Sequence, residues 1–261
     1  MRLFILKKKH LLPICGVLLA IGIVCAVGLT GRDTAQTAAV KREVPIYCVA
    51  TDDKKVALSF DAAWGNEDTE LLIDILGKNN VPATFFVVGE WVDKYPESVK
   101  ALSDAGHDIM NHSDTHPHMP QLSAEQMKSE INNCNSKIES VTGKCPTLFR
   151  MPYGDYNDLV VKTVGEVNMY PIQWDVDSLD WKGLSANEIC KRVTSKVKNG
   201  SIVLFHNAAE NTPAALPGII ETLKNDGYEF VKVSDLIYKD NYSIDNAGVQ
   251  HMNSSDENIS E

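Results

Sequence analysis

Val56-Ala57-Leu58-Ser59-Phe60-Asp61 decides the fold class. It is an apolar run of strand type that ends on a carboxylate, and Ala62-Ala63-Trp64-Gly65 follows it as a loop. An acid placed where a buried strand meets a loop is a common catalytic position in parallel α/β folds; a helix-capping or turn aspartate is the ordinary alternative. Four further segments have the same character. Asn111-His112-Ser113-Asp114-Thr115-His116 follows a short strand and carries two histidines four residues apart, a spacing that lets both imidazoles face one metal ion if the chain turns through about one helical turn. Phe149-Arg150-Met151-Pro152-Tyr153-Gly154 is a strand end running into a Pro/Gly loop. Trp174-Asp175-Val176-Asp177-Ser178-Leu179-Asp180-Trp181 packs acids between tryptophans, and Ser201-Ile202-Val203-Leu204-Phe205-His206-Asn207 is a strand that delivers a histidine.

Outward from these segments, strands and helices alternate. Strands are expected at 56–61, 83–88, 107–110, 147–149, 170–175, 202–206 and 229–232. Between them, Glu67–Asn79 has Leu71, Leu72, Ile75 and Leu76 on one face. Pro96–Ala105 ends at Gly106, and Ser123 starts a helix through Val141 with Gln126 in the capping-box position. Asp158–Glu166, Ala186–Lys198 and Pro213–Asp226 complete the helices. Such alternation implies a parallel sheet, and the candidate residues then share the face at its strand C-termini. The pattern leaves a closed barrel and an open sheet as alternatives.

The five segments, in this order, resemble the motifs of the polysaccharide deacetylases of carbohydrate esterase family 4, the NodB-homology family. The correspondence runs through Ser59-Phe60-Asp61-Ala62, His112-Ser113-Asp114-Thr115-His116, Arg150-Met151-Pro152-Tyr153, Asp177-Ser178-Leu179-Asp180-Trp181 and Leu204-Phe205-His206, over roughly residues 55–238. Phe60-Asp61-Ala62-Ala63-Trp64-Gly65 and the histidine segment through His118 resemble the sporulation-associated branch. The resemblance implies an irregular (β/α)7 barrel and hydrolysis of an N-acetyl group on an aminosugar polymer such as peptidoglycan of cell wall or spore cortex. It implies His112 and His116 as ligands of a divalent metal, Zn²⁺ with Co²⁺ or Ni²⁺ as alternatives. Asp61 would be the general base, fixed by Arg150, and His206 the general acid, oriented by Asp180. Tyr153 and Pro152 would frame the oxyanion side of the groove, with Trp181 as a sugar-facing wall. The sequence departs from the pattern at Ala62, where the family has its third metal ligand. Asp61, Asp114 or water would then have to complete the centre, or the chain is a weak or inactive enzyme that binds wall glycan.

The N-terminus carries a separate signal. Lys7, Lys8 and Lys9 precede nineteen uncharged residues, Leu11 to Leu29. A basic flank before an apolar run of near bilayer-spanning length predicts a signal-anchor or transmembrane helix over residues 1–30, with the following domain outside the cell membrane. A cleaved signal, giving a secreted protein, is the alternative. Residues 31–54 read as linker and lead-in, 55–240 as the enzyme-like domain, and 241–261, which hold no Lys or Arg, as a disordered tail. The formal charge of −10 over 261 residues argues against nucleic acid as a partner. Cys48, Cys134, Cys145 and Cys190 form no C-x-x-C pair, so a zinc ribbon is not expected. A Cys134–Cys145 bridge and free thiols are both open, as is the oligomeric state.

Overall fold

The computed structural model describes residues 42–253. Its central sheet begins with β1 (Cys48–Val49), β2 (Lys55–Ala62), β3 (Thr84–Val87), β4 (Asp108–Asn111), β5 (Leu148–Arg150) and β6 (Tyr170–Ile172). It continues with β7 (Val176–Asp177), β8 (Ser201–His206), β9 (Glu229–Phe230), β10 (Tyr242–Ile244) and β11 (Val249–Met252). The intervening helices are α1 (Thr69–Lys78), α2 (Gly89–Lys94), α3 (Pro96–Asp104), α4 (Ala124–Thr142), α5 (Asp158–Glu166), α6 (Ala186–Thr194), α7 (Thr212–Asn225) and the short α8 (Val233–Leu236).

Parallel pairing runs continuously from β7 through β8, β2, β3, β4 and β5 to β6. Side chains alternate across these strands. On β2, Val56, Leu58, Phe60 and Ala62 enter the apolar layer beneath the helices, together with Leu72, Leu76 and Leu216. Phe60 stacks there between Phe85 at 4.8 Å and Phe205 at 5.3 Å. Ala57 lies in the interior cluster with Phe86, Met110, Ile172 and Ile202. Each fully buried aromatic contributes about 1.5–3 kcal/mol from its removal from water. The expected capping box is formed: the Ser123 hydroxyl accepts from the Gln126 N–H, and the Gln126 side chain returns to the Ser123 N–H.

Closure differs from a regular seven-stranded barrel. Among the described residues β6 and β7 do not pair with each other. The gap is stitched by the segment expected to be linker: Ile46 donates to Pro171 O at 2.9 Å and accepts from Gln173 N at 2.7 Å, and Cys48 pairs antiparallel with Ser201. The result is an incomplete α/β barrel whose core begins near Val44. Helix α2 was not expected, because Pro96 invites a single helix start where the structure has two consecutive short helices. The expected membrane or signal helix lies outside the described residues, and among those described no helix is long and apolar enough to cross a membrane. The four cysteines of the described residues are free, which removes the Cys134–Cys145 bridge.

The expected disordered tail is corrected over its described residues, 241–253. β10 and β11 form an antiparallel hairpin, and β11 adds to β1 in parallel. Asp245 shapes the turn by accepting from the N–H of Ala247 and Val249 at 2.9 and 3.0 Å. Gly248 has φ +81° and lies so close to Tyr47 that a side chain would meet its ring at 2.2 Å. Gln250 is fully buried, accepting from Tyr238 N at 2.9 Å and donating to Tyr238 O at 2.7 Å. Gln250→Ala should therefore cost about 1–3 kcal/mol, the range for stranding buried partners, and truncation after Asp240 at least as much. Urea denaturation of both variants checks this; unchanged midpoints would return the hairpin to the status of a dispensable tail.

Candidate active site

Parallel register brings the ends of β2, β4, β5 and β8 to one face. Asp61 pairs with His206 across β2 and β8, and Asn111, just before His112, pairs with Phe149, just before Arg150. Asp61, His112, His116, Tyr153, Trp181 and His206 line one cavity of about 370 Å³, which Trp64, Trp174 and Asp177 extend. Trp64 and Trp181 are each 59% exposed, so their flat faces are open to a ligand. Arg150 and Pro152 lie underneath: both are buried, and neither lines this cavity. Pro152 is thus corrected from groove residue to loop support.

Arg150 is fully buried and reaches across the barrel interior. It donates from Nη1 to Asp61 Oδ1 at 2.8 Å, and from Nη2 to Ser59 Oγ at 2.8 Å and Gln173 O at 3.2 Å. Its guanidinium lies 4.1 Å from the centre of the Phe86 ring. Burial raises the Asp61 pKa, but Arg150, His112 and His206 outweigh it and hold the carboxyl below the ordinary carboxylate range. Asp61 is therefore ionised and can accept a proton.

His206 is the opposite case. Its Nδ1 donates to Asp180 Oδ1 at 2.8 Å, which directs Nε2 away from Asp180. Asp180 also accepts from the His206 N–H at 2.8 Å and from the Thr212 hydroxyl at 2.7 Å. Burial lowers the His206 pKa, yet the hydrogen bond to Asp180 and the charges of Asp61 and Asp180 raise it overall. A base held ionised and an acid held protonated stand on adjacent strands of one pocket, the division of labour that general acid–base chemistry requires.

The histidine loop is not helical. Ser113 and His116 both have positive φ, 71° and 59°, and the Ser113 hydroxyl accepts from the His116 N–H at 3.0 Å. His112 Nδ1 donates to Arg150 O at 2.8 Å, leaving Nε2 as the free ring nitrogen, 3.5 Å from Asp61 Oδ2. Burial lowers the pKa of both imidazoles; in His116, where the His112 charge adds to it, the value falls to about 4. The two rings lie 5.0 Å apart, so the sequence pair does converge. A third side-chain ligand is not in place. Ala62 is 1% exposed and packs in the apolar layer. Asp114 is buried beside Gly89, pairs with the Lys137 ammonium at 2.6 Å and does not line the cavity, which corrects the expectation that it could complete the centre. One Asp61 oxygen is occupied by Arg150. Among the described residues no group of three potential ligands is placed to hold an ion, so the residues present do not fit the three-ligand metal site of the family pattern.

Several supports were not singled out in the sequence. Glu130 on α4 accepts from the N–H of Asp114 and Thr115 at 3.0 and 2.8 Å, and from the Thr115 hydroxyl at 2.9 Å. Asn111 accepts from Ser113 N at 2.7 Å and donates to Ile131 O at 2.8 Å. Gly89 approaches so closely that a side chain there would meet Asp114 Oδ1 at 2.0 Å. Asn207 accepts from Ala63 N at 3.3 Å and donates to the Trp64 carbonyl at 3.0 Å, fixing the loop that carries the tryptophan. Only the position of Asn207, next to His206, offered a sequence signal. His118 stacks on Tyr153 at 4.1 Å and pairs with Asp155 at 2.6 Å on the rim.

A family model described as polysaccharide deacetylase matches residues 49–172. The chain is 36% identical to the Listeria monocytogenes peptidoglycan-N-acetylglucosamine deacetylase PgdA, covering 74% of this chain and 41% of that protein's length. It is 32% identical to the Bacillus subtilis peptidoglycan-N-acetylmuramic acid deacetylase PdaA, covering 74% of this chain and 75% of that protein. Among solved structures it is similar to BA3943 of Bacillus anthracis, described as a CE4 family pseudoenzyme, with TM-score 0.73 and 36% identity over 76% of this chain and 70% of that one. A mutant of BA3943 is described as having restored enzymatic activity.

The buried pair at the centre of the site yields a stability test. Arg150→Met leaves Asp61 as an unpaired buried charge and should destabilise the fold by about 3–5 kcal/mol at neutral pH. Urea denaturation measures it, and a loss under about 1 kcal/mol, the value of an exposed pair, would show that water replaces the guanidinium.

Proposed function

The chain belongs to the polysaccharide deacetylase family, hydrolases of carbon–nitrogen bonds other than peptide bonds, and on that premise we propose that it is an N-deacetylase of peptidoglycan-type aminosugar glycan. The observation that carries this reading is the convergence of Asp61–Arg150 and His206–Asp180 on a single aromatic-walled cavity. Asp61 takes a proton from water as its oxygen attacks the acetyl carbon. His206 delivers a proton to the nitrogen as the carbon–nitrogen bond breaks, giving amine and acetate. Arg150, fully buried, holds Asp61 in place and ionised; Asp180 does the corresponding service for His206. Tyr153, at φ 60°, turns the backbone at the cavity wall where the carbonyl oxygen would lie. Residues 1–30 support export, with the domain outside the membrane and wall or spore-cortex glycan as its partner.

A second reading has its own support. Ala62 withholds a metal ligand, and BA3943, a structural relative, is described as a pseudoenzyme. On this reading the groove binds glycan with little or no turnover.

Acetate release from N-acetylated glycan separates the two. Under the first reading Asp61→Asn lowers the rate by about 10²–10⁴-fold, the usual worth of a general base, without changing glycan affinity; a fully active variant removes Asp61 from the mechanism. Under the second, the natural chain binds glycan and releases no acetate, while Ala62→Asp, followed by calorimetric titration with Zn²⁺, Co²⁺ or Ni²⁺, should show tighter metal binding.

The pH dependence follows from signs. Asp61 lies below its ordinary value and His206 above its ordinary 6.5. Activity should therefore fall as pH rises through the His206 pKa, at a pH above the ordinary imidazole value of 6.5. Asp180→Asn should move that alkaline limb to lower pH. The His206–Asp180 pair likewise adds stability below pH 6.5 that is lost as pH passes the raised folded-state value. An alkaline limb unmoved in Asp180→Asn would assign it to another group.

A further inference from the structure

The cavity that holds Asp61 and His206 continues past Trp64 and Trp181 into a second one of about 300 Å³, bounded by the loop Asn207–Asn211. The two exposed tryptophans line both cavities. One stands on the loop after β2 and the other on the turn after β7, so the width between the rings depends on what ties these segments together. Two residues supply the ties, and both sit where a helix begins: Asp68 immediately precedes α1, and Asn211 immediately precedes α7. Asp or Asn in that place ordinarily accepts from the second or third N–H of its own helix, as Ser123, Asn157 and Ser185 do before α4, α5 and α6. Asp68 and Asn211 make no such bond, and with ψ at −5° and −2° their backbones lack the extended shape of a capping residue. Their side chains leave the helix instead. Asp68 Oδ2 accepts from the Ala208 N–H at 2.9 Å, which joins the Trp64 loop to one end of the 207–211 loop. Asn211 Nδ2 donates to the Leu184 carbonyl at 3.0 Å, which joins the other end to the chain that follows Trp181. Between these ties Ala208 has φ 55°, a conformation that persists only where its surroundings hold it. Asn207, on the same loop, donates to the Trp64 carbonyl at 3.0 Å.

We infer that Asp68 and Asn211 are positioning residues of the groove: instead of capping their own helices, they clamp the 207–211 loop between the two tryptophan-bearing segments and fix the separation of Trp64 and Trp181. The inference rests on the reading of this groove as the glycan site and names what sets its width. Among the described α-helices, these two alone begin at an Asp or Asn whose side chain bonds away from its own helix. A local preference broken at both ends of one loop is expected where function overrides stability. Aromatic faces hold a pyranose ring by close contact, and dispersion falls off within a fraction of an ångström of the best separation. A loop free to move would therefore weaken binding without touching the sugar.

The test uses substitutions that suit a helix start but cannot make the tie. Asp68→Ser carries a hydroxyl one bond too short to reach Ala208. Asn211→Asp keeps the size of the side chain and loses the donor to Leu184. Asp68→Asn keeps the accepting oxygen and serves as the conservative variant. Each full-length variant is compared with the natural chain in thermal midpoint, in calorimetric affinity for an N-acetylglucosamine tetramer, and in the indole N–H NMR signals of the four tryptophans, assigned with Trp64→Phe and Trp181→Phe. Asp68→Ser and Asn211→Asp should hold the midpoint within about 2 °C or raise it. They should nevertheless bind the tetramer about three- to tenfold more weakly, the worth of one hydrogen bond, and shift the Trp64 and Trp181 signals respectively. Asp68→Asn should match the natural chain in all three. Unchanged affinity in both tie-breaking variants overturns the inference while leaving the groove as the glycan site. A midpoint lowered by more than about 4 °C in either overturns it too, and makes the ties general supports of the fold. Equal weakening in Asp68→Asn overturns it by assigning the effect to the carboxylate charge. A natural chain that binds no tetramer overturns the glycan reading of the groove; unmoved indole signals then overturn the clamp as well, and moved ones uphold it without the glycan.

Discussion

The ion pair between Arg150 and Asp61 is the constraint on which the rest of the site depends. A guanidinium removed completely from water is costly unless its hydrogen bonds are met. Here Nη1 and Nη2 reach Asp61, Ser59 and the Gln173 carbonyl, while Nε alone lacks a partner. These contacts join β5, β2 and the chain beyond β6 across the barrel interior. The carbonyl of Arg150 in turn accepts from His112 Nδ1. One residue thus fixes the ionisation of the base and the orientation of the first imidazole. A hydrophobic residue of similar size could fill the space and would keep that backbone carbonyl, but it would leave the Asp61 carboxylate without a counter-charge.

The electrostatic pattern follows from that pair. Asp61 keeps its charge despite burial because two charged neighbours and an imidazole face it, whereas His116 loses its charge because burial and a second imidazole act in the same direction. His206 is buried too, but a carboxylate directly on Nδ1 reverses the outcome. Of three histidines within one pocket, His112 and His116 are thus pushed toward the neutral form and His206 toward the charged one, and the difference comes from the Asp180 carboxylate on His206 Nδ1.

Much of this was legible in the chain. Strand ends bearing Asp61 and His206, the α4 capping box and the ordered motifs led directly to the parallel sheet and to its functional face, because long apolar runs and side-chain caps are local signals. The stitch at Ile46 and the β10–β11 hairpin were not, since one to four residues are too few for alternation to register, and polar residues such as Gln250 gain their burial only from long-range partners. Glu130 was invisible for the same reason. Its role depends on the loop sixteen residues earlier folding back against α4, a fact of tertiary packing with no periodic trace. Pro152 was misplaced because a motif gives order along the chain and not depth below a surface.

Ala62 makes this site instructive. The loop carrying His112 and His116 is tied by Asn111, Ser113 and Glu130 and by the Lys137–Asp114 pair, and it adopts two left-handed residues that have to be stabilised by those ties. Such over-determination fixes the imidazoles whether or not a third ligand completes them. The same loop forms one wall of the groove, with His116 edge-on to Tyr153 and facing Trp64. Losing a ligand at the end of β2 therefore removes one donor and leaves the shape of the groove unchanged. The walls therefore rest on loops anchored to α4 and β8, whereas the position that lacks a carboxylate lies at the end of β2.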